Sequence, residues 1–236
     1  MVACYNSRMI EIVEVDWDWV KNELLAKERI GAAKGSSSSE EIVRSLDSSI
    51  EYARAEVEPC VIYEVKNISV SLPSSIEIDG RFVITSANLA SSLKASKEAI
   101  FFLATIGPSL EKKATSSMHE GDPLNGYLLD RIGSMAVESL AEKFESKTRQ
   151  KYARENKSVS MRFSPGYCDW KIEDQFILDK ILDFSRAGVS LNQSCMMVPK
   201  KSISGIIGIG NESAYREIKT PCSVCELSDC SYRRNV

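Results

Sequence analysis

Between Arg162 and Trp170 an arginine, a proline–glycine pair, a tyrosine, a cysteine, an aspartate and a tryptophan crowd into one short stretch, "RFSPGYCDW". An arginine side chain is a planar fork of N–H donors shaped for a carboxylate. The Pro165–Gly166 pair predicts a tight turn that brings Arg162 and Tyr167 toward each other. Gly166, lacking a side chain, lets the main chain approach a ligand. The stretch reads as the corner of a pocket for an anionic group beside an aromatic face. Taken alone, Arg162 reads equally as a structural ion-pair partner, and Tyr167 as a core residue with one wet end.

Other chemistries are excluded by residues the chain lacks. Its single histidine, His119, sits in "MHEGDP", which predicts a solvated loop, and a lone histidine removes every mechanism built on a histidine pair. There is no phosphate-binding P-loop, and "GIIGIGN" does not space its glycines as a dinucleotide fingerprint does. A net charge of -3 lacks the basic surplus that nucleic acid or an anionic membrane would call for. Near the end, "PCSVCELSDC" sets Cys222, Cys225 and Cys230 as C-x2-C-x4-C. With Cys168 or Cys195 as a fourth ligand these thiols form a zinc or iron–sulfur set; otherwise they are reduced thiols on an exposed tail.

The composition, 43% apolar and 27% charged over 236 residues, is that of one globular core with a short appendage: a main domain over 1–219 and a cysteine-rich tail over 220–236. The N-terminal stretch carries acids and no apolar h-region, so it does not read as a signal peptide. No run approaches the length of a membrane span. Seven cysteines, an odd number crowded toward one end, fit a reducing compartment, and a cytoplasmic location is expected.

Several elements must position the corner. Residues 16–29 predict a helix with Trp17, Val20, Leu24 and Leu25 on one side. "GAAKGSSSS" predicts a loop, and Ser39 an N-cap for a second helix burying Ile42, Val43, Leu46 and Ile50. β-Branched residues over 60–84, punctuated by Pro73 and Asp79–Gly80, predict two or three antiparallel strands. "AIFFLATIG" predicts a buried central strand. The strongest helix carries the stripe Leu128, Ile132, Met135, Ala136, Leu140 and Phe144. A helix over "EDQFILDKILDFS" and a strand over "SISGIIGIG" complete the set. Helices and strands mix without regular βαβ alternation, so the fold class is α+β: a single domain with a twisted antiparallel sheet flanked by helices.

The order "ATIGPSLE", "LLDRIGSMAVESLAEKF", R-x-x-x-G-Y and "LNQSCMMVPKKSISGIIG" resembles the activation domain of cobalamin-dependent methionine synthase, in its free-standing bacterial form. The likeness runs from "VDWDWVKNELL" to Gly210. It implies binding of S-adenosylmethionine and a methyltransferase-component role in methionine biosynthesis. In that family an oxidised corrinoid held by another protein is repaired: an external electron donor reduces the cobalt, and S-adenosylmethionine traps it as methylcobalamin. The family's ligand residues fall on Arg162, Gly166 and Tyr167, with Ser164 and Pro165 between them, and on the helix glutamate Glu142. Without the resemblance, Glu138 and Glu142 are a solvated acidic face. Full-length members set a further acid near the domain's N-terminus, for which Asp16 and Asp18 are the candidates. The chain has no D-x-H-x-x-G cobalamin signature, so the corrinoid is expected from a partner. An iron–sulfur protein reducing a corrinoid partner through its cysteine tail is the competing expectation.

Overall fold

The structure, a computed structural model, describes residues 8–11, 13–28 and 37–215. Its centre is the strand predicted from consecutive apolar residues. Strand β5 (Glu98–Thr105) lies between β2 (Cys60–Ser71) and β9 (Ser202–Asn211), antiparallel to both. Side chains alternate across a strand, so a strand covered on both sides needs apolar residues at every position. Ile100, Phe102 and Ala104 enter one core; Ala99, Phe101 and Leu103 enter the other.

Outward from β5 the sheet runs β4 (Phe82–Thr85), β3 (Ser75–Ile78), β2, β5, β9 and β6 (Lys157–Val159), while β1 (Arg8–Glu11) pairs with β2. Every pairing is antiparallel. β2 changes partner along its length, meeting β5 as far as Asn67 and β3 from Ile68 onward.

One face of the sheet carries α1 (Trp17–Lys27), α2 (Ser37–Glu56), α4 (Ser109–His119) and α5 (Pro123–Ala153). The other carries α3 (Ala87–Leu93) and α6 (Gln175–Leu182), which bury Leu89, Leu93, Leu178 and Ile181. At 31 residues α5 is the longest element, about 46 Å at 1.5 Å per residue. Asp122 caps it by accepting from the Asn125 N–H (3.1 Å), and Pro123 occupies the first turn, where a missing N–H costs nothing. The predicted stripe faces the sheet, where Phe144 packs on Phe102 and Tyr63 at centroid distances of 5.2 and 5.4 Å. No helix among the described residues is long and apolar enough to cross a membrane.

Three local expectations are corrected. His119 closes α4 instead of lying in a loop, although it is exposed; Gly121 and Pro123 mark the turn that follows, not its own position. The second helix already begins at Ser37, so Ser39 is inside it and is not its cap. The stretch from Glu173 divides into a 3-10 turn (Ile172–Asp174), α6 and a second 3-10 turn (Phe184–Ala187), because Asp183 takes the left-handed conformation at φ 57° and ends α6. A hairpin of β7 (Ser190–Leu191) and β8 (Met197–Val198) joins this region to β9. The tail over 220–236 lies outside the described residues.

β9 carries the stretch that leads to the Arg162 corner. Ser160 N–H donates to the Gly208 carbonyl (2.9 Å), and Phe163 and Ile206 exchange both backbone hydrogen bonds (3.0 and 2.8 Å). That approach requires Gly205, where a Cβ would lie 2.4 Å from the Phe163 carbonyl and 2.9 Å from Phe102. Gly205→Ala is therefore expected to lower stability by about 1–3 kcal/mol through overpacking, read by urea denaturation. An unchanged midpoint would show that the two backbones can separate without loss.

Candidate functional site

The corner is a pair of consecutive turns. Tyr167 N–H donates to the Ser164 carbonyl (3.1 Å), with Pro165 and Gly166 at the central positions and Gly166 at φ +91°. Proline followed by a residue of positive φ is the type II arrangement, in which glycine is the residue that takes the second central position without strain. Trp170 N–H then donates to Tyr167 O (3.0 Å), and Gly166 N–H to Trp170 O (2.8 Å). Trp170, 2% exposed, sits in the core and donates its indole N–H to Asp174 Oδ2 (3.0 Å). Between the buried Phe163 and Trp170, the tip bearing Gly166 and Tyr167 faces solvent.

Arg162 points the other way. It is 8% exposed and places Nη2 2.5 Å from Glu138 Oε2, with Nε 3.7 Å from Glu145 Oε2. Glu138, Glu142 and Glu145 follow one another at intervals of four and three on α5, which puts them in one row on one helix face. Arg149 continues that row: its Nη2 meets Glu145 Oε1 at 2.9 Å and its Nη1 donates to the Val159 carbonyl at 3.1 Å. The result is a chain of alternating charge, Glu138, Arg162, Glu145, Arg149. Burial disfavours the charged guanidinium of Arg162, but the charge and hydrogen bond of Glu138, followed by Tyr167 and Glu145, outweigh it and raise its pKa.

The structural ion-pair reading of Arg162 is therefore realised, with Glu138 and, at longer range, Glu145 as partners. Glu142, half-buried, lies between Glu138 and Glu145 on the row. Ser164 is half-buried, and Pro165, although central in the turn, is buried. Asp16 caps α1 by accepting from Trp19 N–H (3.0 Å), donates its own N–H to Ser139 Oγ (2.9 Å) and meets Lys143 at 3.5 Å. Ser139 and Lys143 lie about 100° around α5 from Glu138 and Glu142, so Asp16 flanks the row without joining it. The Trp19 bond is the main cause of its lowered pKa. Asp18 is exposed in the first turn of α1.

Cys222, Cys225 and Cys230 lie outside the described residues. Cys168 is half-buried in the corner and Cys195 buried in the β7–β8 loop; among the described residues no group of three or more metal-ligating side chains is assembled. One cleft of about 440 Å³ opens between α2, α4 and α5, lined by Arg44, Ser49, Lys113 and Asn125, away from Arg162. A second, of about 270 Å³, is lined by Arg149, Asn156, Lys157, Ser158 and Tyr215. Arg149 joins it to the corner through Glu145.

Glu145, Arg149 and Asp169, which the structure joins to the corner, are not singled out by the sequence. The first two share the helical spacing of Glu138 and Glu142, a signal present in the sequence but indistinguishable there from a solvated face. Asp169 accepts from Ser86 Oγ (2.6 Å), from the N–H groups of Ala87 (2.6 Å) and Asn88 (3.3 Å), and from Asn88 Nδ2 (3.1 Å), a contact across more than eighty residues. Desolvation raises its pKa, but these donors together outweigh it and hold the carboxyl below the ordinary value.

Residues 89–233 match the family described as vitamin B12 dependent methionine synthase, activation domain. A crystal structure of the MetH reactivation domain bound to AdoHcy superposes with a TM-score of 0.63 at 15% identity, covering 93% of this chain and 82% of that one. No curated protein matches the chain.

Removing one partner of a buried ion pair leaves the other charge stranded. Glu138→Ala is expected to destabilise the protein by about 3 kcal/mol, the low end for a broken buried pair because Glu145 remains. Urea denaturation checks this, and a loss below about 1 kcal/mol would mark the pair as solvent-screened. The depressed Asp169 pKa adds a sign in pH. Its stabilisation is complete above the ordinary carboxylate range and is lost as pH falls through the folded value, so Asp169→Asn should flatten the acid limb of the stability curve.

Proposed function

This chain belongs to the activation-domain family of vitamin B12-dependent methionine synthase, and from that premise we propose that it binds S-adenosylmethionine at the Arg162 corner. The observation that supports this reading best is the Arg162–Glu138 pair: a donor fork and a carboxylate held together at the foot of an exposed turn. An amino acid's α-carboxylate and ammonium are the complementary pair. The ligand's carboxylate takes the guanidinium fork of Arg162 through parallel N–H bonds, and its ammonium takes Glu138. Charges already buried and paired exchange partners, so no uncompensated charge is created.

The remaining groups fit the rest of the ligand. Glu142, next on the row, and the ring of Tyr167 face the sulfonium, where a cation over an aromatic ring gains roughly 0.5–2 kcal/mol. Gly166 allows close approach of the main chain, and Ser164 and Pro165 form the rim. The cleft lined by Arg149, Asn156, Ser158 and Tyr215 offers room for the nucleoside on the same side of α5. Bound S-adenosylmethionine supplies a methyl group on a sulfonium, and a corrinoid brought by a separate methionine synthase or related corrinoid protein supplies the cobalt that accepts it. This chain's own contribution is orientation: it holds the donor at a solvent-facing corner so that the methyl can be met from outside. An external electron donor, a cytoplasmic setting and a place in methionine biosynthesis belong to the same reading, and nothing among the described residues favours the iron–sulfur alternative.

Calorimetry tests it. The protein is expected to bind S-adenosylmethionine but not free cobalamin at comparable concentration. Arg162→Lys keeps a charge against Glu138 but loses the planar fork, so affinity should fall by about 2–3 kcal/mol, within the range for truncating a buried charge partner. Decarboxylated S-adenosylmethionine should bind the native protein as weakly and respond little to Arg162→Lys. Equal losses for both ligands would place Arg162 in the fold and not in the grip on the carboxylate.

A further inference from the structure

Resting on the reading that S-adenosylmethionine binds at Arg162, we infer that Asp169 is a positioning residue, which holds Gly166 and Tyr167 in their ligand-receiving arrangement by tying the corner to the N-terminus of α3. Ser86 is the N-cap of α3, accepting from Leu89 N–H at 3.0 Å, and its hydroxyl donates to Asp169 Oδ1 at 2.6 Å. Ala87 N–H donates to the other oxygen at 2.6 Å, and Asn88 adds its N–H and side-chain amide. The first N–H groups of a helix have no partner within it and carry partial positive charge, so a carboxylate there is both hydrogen-bonded and electrostatically favoured.

α3 is itself immobilised by Leu89 and Leu93, which are 1% and 0% exposed in the second core. The tie therefore runs from a solvent-facing loop to the packed interior. It adds to the backbone bonds within the loop, Gly166 N–H to the Trp170 carbonyl (2.8 Å) and Tyr167 N–H to the Ser164 carbonyl (3.1 Å), a tie to a separate element of the fold. Phe163 is fixed on β9 and Trp170 is fixed in the core, while Gly166 and Tyr167 between them are exposed. Asp169 lies two residues from Tyr167 and shares the Tyr167–Trp170 turn. None of its hydrogen bonds reaches Arg162 or the glutamate row, so it acts on a ligand only through Tyr167 and Gly166. When the binding-competent arrangement is one of several, apparent affinity falls by the fraction of time it is populated.

Two variants and two readouts test this. Asp169→Asn removes the charge, and Asn88→Ala, milder, removes one donor while leaving the Ser86 cap. Affinity for S-adenosylmethionine is expected to fall about tenfold and about threefold, respectively. Decarboxylated S-adenosylmethionine should weaken by the same factors, since the fork of Arg162 is untouched. In the absence of ligand, amide hydrogen exchange should quicken at residues 166–168 and stay unchanged in β5 and β9. Faster local exchange with unaltered affinity would overturn the positioning role, as would a loss of affinity accompanied by faster exchange throughout the core. If the native protein does not bind S-adenosylmethionine, the functional reading fails; exchange confined to 166–168 then still supports the tie, and unchanged exchange there overturns it.

Discussion

Burying a guanidinium is costly unless opposite charge meets it, and the Arg162 corner depends on Glu138 and Glu145 for that compensation. Its charge demands a helix long enough to bring Glu138 and Glu145 level with it, which α5 is. It demands a strand narrow enough for the 160–163 stretch to lie against, which β9 is at Gly205. It demands a turn that carries the chain out to solvent directly afterwards, which Pro165 and Gly166 provide. The apolar sheet supplies the stability against which the desolvation of these charges is set.

In the proposed function, the same arrangement serves as a binding site made from structural parts. A buried arginine with two glutamates already contains both halves of the recognition that an amino-acid zwitterion needs. Preorganisation of this kind limits the ordering that binding must impose, because side-chain rotamers are fixed before the ligand arrives. The exposed tip of the corner, in contrast, takes its order from its anchors at Phe163, Asp169 and Trp170. Rigid charge beneath and a tethered aromatic above divide the work between a packed core and a surface turn.

How much of this was legible depends on whether a feature is local. The central strand could be read because β5 is apolar on both faces, and α5 because its stripe keeps the helical period from Leu128 to Phe144. The Pro–Gly turn was equally readable, since its chemistry is contained in four residues. The pairing of Arg162 with Glu138 and Glu145 was not, because it depends on the tertiary approach of Arg162 to the α5 row. Asp169 was hidden for the same reason, its donors lying at Ser86 to Asn88. The helix ending at His119 was obscured by its polar composition, with Leu110 and Ala114 the apolar residues that it buries.

A crystal structure of the protein with S-adenosylmethionine bound measures the central claim directly. The ligand's α-carboxylate is expected within hydrogen-bonding distance of the Arg162 guanidinium, its ammonium on Glu138, and its sulfonium methyl open to solvent beside Tyr167. A ligand seated in the cleft between α2, α4 and α5, with Arg162 and Glu138 still bonded only to each other, would contradict it.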